Sequence, residues 1–84
     1  MTKQLYYFTA SWCGPCQQFG PTVSKVLEEH PTIDFVKVDI DQNRERANEY
    51  SVMSIPTLLL KEHGAVVKSH SGMMGEGKLR EWLN

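Results

Sequence analysis

Gln4 to Thr9 reads QLYYFT, a run rich in aromatic residues that is apolar on both faces, as expected of a strand buried in the middle of a sheet. From Cys13 to about Glu29 the period changes. Cys16, Phe19, Val23, Val26 and Leu27 recur every three or four positions, which predicts a long amphipathic helix stopped by His30-Pro31. Pro21 lies inside that helix, removes one backbone donor and crowds the preceding turn, so a kink is expected there. IDFVKVDI, Ile33 to Ile40, reads as a second strand, and the intervening helix implies a right-handed crossover with parallel pairing to the first. Asn43 to Tyr50 fits a short polar helix capped by Asp41 or Asn43. Thr57 to Lys61 and Ala65 to Ser69 form an expected antiparallel hairpin turning at His63-Gly64. Leu79, Trp82 and Leu83 give a last helix one apolar face, with Gly77 weakening its start. The order strand, helix, strand, helix, strand, strand, helix predicts an α/β sheet covered by helices. With no repeat, low-complexity stretch or linker, residues 1–84 are expected to form one domain.

Composition narrows the function classes. Nine basic against ten acidic residues give a net charge of −1, and no basic stripe interleaved with aromatics appears, which argues against nucleic acid. No apolar run is long enough to span a bilayer, and the expected first strand begins too early to leave room for a signal peptide. The expected compartment is therefore a reducing cytoplasm. There a lone pair of cysteines is more often catalytic or metal-binding than structural.

Those two cysteines stand in TASWCGPCQQFGP, residues 9–21, and no others occur. Structural zinc wants four ligands, but His63 and His70 sit around a hairpin and His30 closes a distant helix, so a second half-site is missing and no metal is expected. A bridge across two intervening residues closes almost no loop, so a purely structural staple would stabilise little. A redox pair has a positive case. Cys13 opens a helix, where unpaired backbone N–H groups and the macrodipole favour an anion. A free thiol is only about 3% ionised at pH 7, and about 2 kcal/mol makes the thiolate a major species. Cys16, one turn deeper, is placed to support that thiolate and later to attack its mixed disulfide. Gly14 permits close backbone approach, and Pro15 suits a first helical turn.

WCGPC at 12–16, Pro21, and Ile55-Pro56-Thr57 together resemble the thioredoxin family, and IDQN at 40–43, PTLLL at 56–60, Gly64 and Gly72 extend the likeness over nearly the whole chain. The resemblance implies a thioredoxin fold with the cysteine pair at a strand-to-helix junction and Pro56 as a cis-proline opposite it. Pro56 would leave the backbone of Ile55 free to pair with an extended substrate. It also implies a docking surface of Trp12, Ile40, Ser54-Ile55 and Gly72-Met73 around the sulfurs, Met73 offering a flexible apolar contact. For Trp12 and the isoleucines, ordinary core packing is the competing reading.

Two departures from the family stand out. Its members usually begin with a further strand and helix, absent before the first strand here. A four-stranded mixed sheet in the order 2-1-3-4 is therefore expected, with IDFVKVDI at an open edge guarded by Asp34, Lys37 and Asp39. The family's buried aspartate, which assists the inner thiol, is replaced by Tyr7, although the matching lysine is present as Lys37. A neutral phenol is no carboxylate base near pH 7, so Tyr7 is read mostly as core, and Cys16 is expected to lose its proton to water or to the leaving thiolate. The expected function is reduction of protein disulfides by a monomer with no bound cofactor, recycled by thioredoxin reductase or by glutathione. Competing readings are a glutathione-linked, glutaredoxin-like reductase, which the short chain favours, and a non-enzymatic interaction module.

Overall fold

The computed structural model describes residues 3–84. The elements run β1 (Lys3–Thr9), α1 (Gly14–Leu27), β2 (Ile33–Asp39), α2 (Arg44–Glu49), β3 (Thr57–Glu62), β4 (Ala65–Ser71) and α3 (Glu76–Leu83). The sheet order is β2-β1-β3-β4, as expected of a thioredoxin fold with four strands and three helices. β1 pairs with β2 in parallel and with β3 antiparallel, and β3 pairs with β4 antiparallel.

Strand alternation divides the core. Leu5 and Tyr7 of β1 face Phe19, Val23 and Val26 of α1 and Leu79 and Leu83 of α3. Tyr6 and Phe8 face the other way, toward Val38, Leu59 and Ala47 of α2. β1 is therefore covered on both faces, which is why its sequence shows no polar alternation. β2 at the edge behaves differently, leaving Asp34, Phe35 and Lys37 exposed.

The boundaries differ from the sequence reading in places with physical causes. α1 ends at Leu27 rather than near Glu29, because Glu29 N–H bonds to the Val26 carbonyl and His30 N–H to that of Leu27, tightening the end into a turn. Pro21 lies within α1 without dividing it. β4 continues to Ser71, since Leu58 pairs with His70 and Thr57 with Ser71. The polar end of this strand carries no apolar signal because the edge it forms is largely exposed. His63 and Gly64 both take positive φ, 54° and 83°, as a two-residue type I′ turn requires.

The short helix α2 is held at both ends. Asn43, not Asp41, is its N-cap, its side chain accepting from Arg46 N–H at 3.2 Å. Beyond it Ser51 N–H bonds to Asn48 O at 3.1 Å and Val52 N–H to Ala47 O at 2.9 Å, with Ser51 at φ 55°. This is the Schellman pattern with serine where glycine is usual. It turns the chain sharply and sends Val52, Met53 and Ser54 toward the end of the sheet where α1 begins.

Candidate functional site

β1 ends at Thr9, and its central position makes that end rigid. The chain then turns through Ala10, whose carbonyl accepts from Cys13 N–H at 3.2 Å and from the Gln17 side-chain amide at 2.8 Å. That turn delivers Cys13 to the N-cap of α1, with extended backbone dihedrals. Pro15 lies in the first turn, where its missing N–H costs nothing. Cys13 Sγ accepts a hydrogen bond from Cys16 N–H at 3.2 Å, the contact an N-cap side chain makes. Cys13 and Cys16 are joined as a disulfide, their Cα atoms 5.3 Å apart. Both cysteines are buried, Cys13 at 7% exposure being the more open and Cys16 at 1% the deeper.

The loop before β3 comes up beside the sulfurs. The Ile55–Pro56 peptide is cis, and Ile55 packs with Ile40 against a buried cluster of Ala10, Cys13 and Cys16. Thr57 Oγ1 donates to Ser54 O at 2.7 Å, and Gly72 N–H donates to Pro56 O at 2.8 Å, tying the loop after β4 to the proline loop. Met73 follows Gly72 and is half-exposed.

Trp12 is 66% exposed, so ordinary core packing does not describe it. Its indole Nε1 donates to Asp41 Oδ2 at 2.8 Å, and the Asp41 loop is in turn held by Asp39 Oδ1, which accepts from Asp41 N–H at 2.9 Å. Trp12, Ile40, Val52, Met53 and Ile55 line a cavity of about 300 Å³ beside the disulfide. Met73 is not among the residues of that cavity. Met53, 94% exposed at its rim, is invisible to sequence reasoning, because a lone methionine between two residues of no clear pattern carries no periodic signal. Asp41 gives no hint of being a partner of Trp12 because the two lie far apart in the chain.

Tyr7 and Lys37 are brought together on the other face of the sheet. They are opposite each other in the β1–β2 register, and both line a second cavity of about 270 Å³ with Thr9, Cys16 and Gln17. Lys37 is exposed. Tyr7 is buried, and its hydroxyl donates to the backbone carbonyl of Cys16. Burial pushes its phenol up from the ordinary range, partly offset by a hydrogen bond with Thr9, so it stays neutral near pH 7. Among the described residues no three His, Cys, Asp or Glu side chains converge on a metal-sized site.

Residues 2–84 match the family model described as Thioredoxin. The chain belongs to the thioredoxin family. It is 41% identical over 78 residues to the thioredoxin of Listeria monocytogenes, covering 92% of this chain and 76% of that protein. Against the thioredoxin of Bacillus subtilis it is again 41% identical over 78 residues, covering 92% of this chain and 75% of that one. The X-ray structure of Fasciola hepatica thioredoxin superposes with a TM-score of 0.89 at 41% identity, covering 98% of this chain and 78% of that one. With a thioredoxin's fold and a bonded cysteine pair at the mouth of α1, the protein is a thiol–disulfide oxidoreductase. As a family member it acts on disulfide-containing proteins and works with a reductase.

Proposed function

We propose that Cys13 is the attacking thiolate and Cys16 the resolving thiol of a cycle that reduces protein disulfides. The observation that carries this assignment is the placement of Cys13 Sγ at the N-cap of α1, accepting the Cys16 N–H, with Cys16 closed off below it. A thiolate formed there meets the positive end of the helix and keeps that hydrogen bond. It attacks one sulfur of a substrate disulfide, forming a mixed disulfide and releasing the other sulfur as a thiolate. Cys16 gives up its proton to that thiolate and attacks Cys13 Sγ, expelling the second substrate sulfur as a thiolate that takes a proton from water. The substrate leaves as a dithiol, and two electrons have passed from this protein to it, leaving Cys13–Cys16 oxidised.

Trp12, Ile55, Pro56 and Met73 receive the substrate in this reading. Trp12 is held by the hydrogen bond to Asp41, and Ile55 offers a hydrophobic wall beside the sulfurs, where its backbone would pair with an extended substrate. Gly14 and Pro15 shape the first turn, and Lys37 supplies positive charge near the second cavity. The cycle needs no bound cofactor. Electrons come from an external thioredoxin reductase, and the protein works as a single 1–84 unit, a monomer of the reducing cytoplasm. Among the described residues no helix is long and apolar enough to cross a membrane.

The test is recycling. Oxidised protein is offered either NADPH with thioredoxin reductase or glutathione with glutathione reductase, and turnover on a protein disulfide is followed. Turnover with thioredoxin reductase and little with glutathione is expected. The reverse result would overturn the assigned electron donor, and turnover with neither would overturn the proposed cycle.

A further inference from the structure

We infer that Tyr7 is a positioning residue for the resolving sulfur, clamping the turn of α1 that carries Cys16 to the central strand. The inference rests on the assignment of Cys16 as the resolving thiol. Tyr7 has more than a core residue's contacts. Its hydroxyl donates to the Cys16 carbonyl, and its ring meets Phe19 edge-on at 6.0 Å and tilts against Phe35 at 6.2 Å. Gly20 lies against the same ring, since a Cβ there would stand 3.7 Å from both Tyr7 Cε2 and the hydroxyl oxygen, ordinary van der Waals contact. The strand beneath does not yield, because β1 is bonded to β2 on one side and β3 on the other.

The turn above has particular need of such a tie. Pro21 cannot donate the backbone bond that would close on the Gln17 carbonyl, and Gly20 beside it is a weak helix former. Oxidised, the turn is also held by the sulfur bridge to Cys13. Once that bridge opens, the bond from Tyr7 remains as the polar link between Cys16 and the sheet. It fixes where Cys16 Sγ stands relative to Cys13 during the second step, in which small displacements of the attacking atom cost rate. At this position the chain has a neutral donor that holds the backbone and does not take the proton.

The variant Tyr7→Phe keeps the ring and removes the donor. Reduced protein is mixed with 5,5′-dithiobis(2-nitrobenzoate) and thionitrobenzoate release is followed by stopped flow. The first equivalent reports attack by Cys13, and the second reports Cys16 displacing the remaining thionitrobenzoate from Cys13. The second phase is expected to slow about fivefold, the factor equivalent to one ordinary net hydrogen bond, while the first changes less than about twofold. The slowing is expected at every pH, with the pH midpoint of the second phase unmoved. An unchanged second phase, an equal fall in both phases, or a displaced midpoint would each overturn the inference. Absence of any second phase in the unaltered protein would instead remove the resolving role of Cys16.

A second measurement needs no variant. Amide hydrogen exchange across residues 14–20 is compared between oxidised and reduced protein. Protection that persists within about threefold on reduction supports the clamp. A loss beyond about threefold would show that the disulfide alone holds the turn, and would overturn it.

Discussion

Phe19→Ala tests how the floor of the site is held. Phe19 lies one turn below Cys16, is 1% exposed and meets the Tyr7 ring edge-on at 6.0 Å within the larger core cluster. Truncating such a phenylalanine costs about 3–5 kcal/mol, including the cavity left behind, and the lost edge-to-face pair falls within that figure. A chain of 84 residues has a total stability of about 4–13 kcal/mol. The substitution therefore removes a large share of it. With a urea slope of about 1 kcal/mol per molar, the midpoint should fall by about 3 M or more. Phe19→Leu, which keeps most of the volume, should cost about 1.5 kcal/mol or less and leave the redox cycle running. Urea titration followed by circular dichroism reads both. A loss below about 1 kcal/mol for Phe19→Ala would refute the packing reasoning, because it would mean that the α1 face of the sheet closes without this ring.

Further expectations follow from the same structure. Ser51→Gly should raise stability by about 0.5–1 kcal/mol, since Ser51 sits at φ 55° in the Schellman turn where glycine carries no Cβ penalty; a loss in thermal denaturation would contradict this. Trp12→Ala should raise KM for a protein disulfide about fivefold and change the rate with a small aromatic disulfide much less, because Trp12 stands out from the fold beside the cavity; an equal effect on both would show that it acts on the sulfurs rather than on docking. The acid dependence of stability should contain a contribution from Arg80, which bonds Glu29 at 2.8 Å and Glu76 at 2.9 Å. The hydrogen bond from Arg80 holds the Glu29 carboxyl below its ordinary range, and bonds from Lys25 and then Arg80 do the same for Glu76. A lowered folded pKa means the stabilisation is present above the ordinary carboxylate range and is lost as pH falls through the lowered values. The denaturant midpoints of the protein and of Arg80→Ala should therefore converge on acidification, and also in high salt since the pairs are exposed; a pH-independent gap would contradict the ion-pair reading.

Much of this architecture is legible in the residues because the central elements have strong periodic patterns. QLYYFT announces a strand covered on both faces, and the spacing of Phe19, Val23 and Val26 announces a helix lying over it. The cysteine pair is readable because its chemistry depends on local geometry, a helix start and one turn. The parts that do not show depend on partners distant in sequence. Nothing near Trp12 signals that Asp41 will hold its indole, and nothing around Tyr7 signals that its hydroxyl will find the Cys16 carbonyl. Ser51 in a left-handed turn is hidden because glycine is the usual marker of that conformation. Met53 is hidden because exposure at a cavity rim leaves no periodic trace along the chain.

The central claim is that the helix mouth holds Cys13 as an anion at neutral pH. Its direct test is the pH dependence of iodoacetamide alkylation of the reduced protein, with the modified cysteine identified by peptide mapping. Cys13 is expected to ionise at least about tenfold more readily than free cysteine and to be alkylated well ahead of Cys16. Titration of Cys13 in step with free cysteine, or preferential labelling of Cys16, would contradict it.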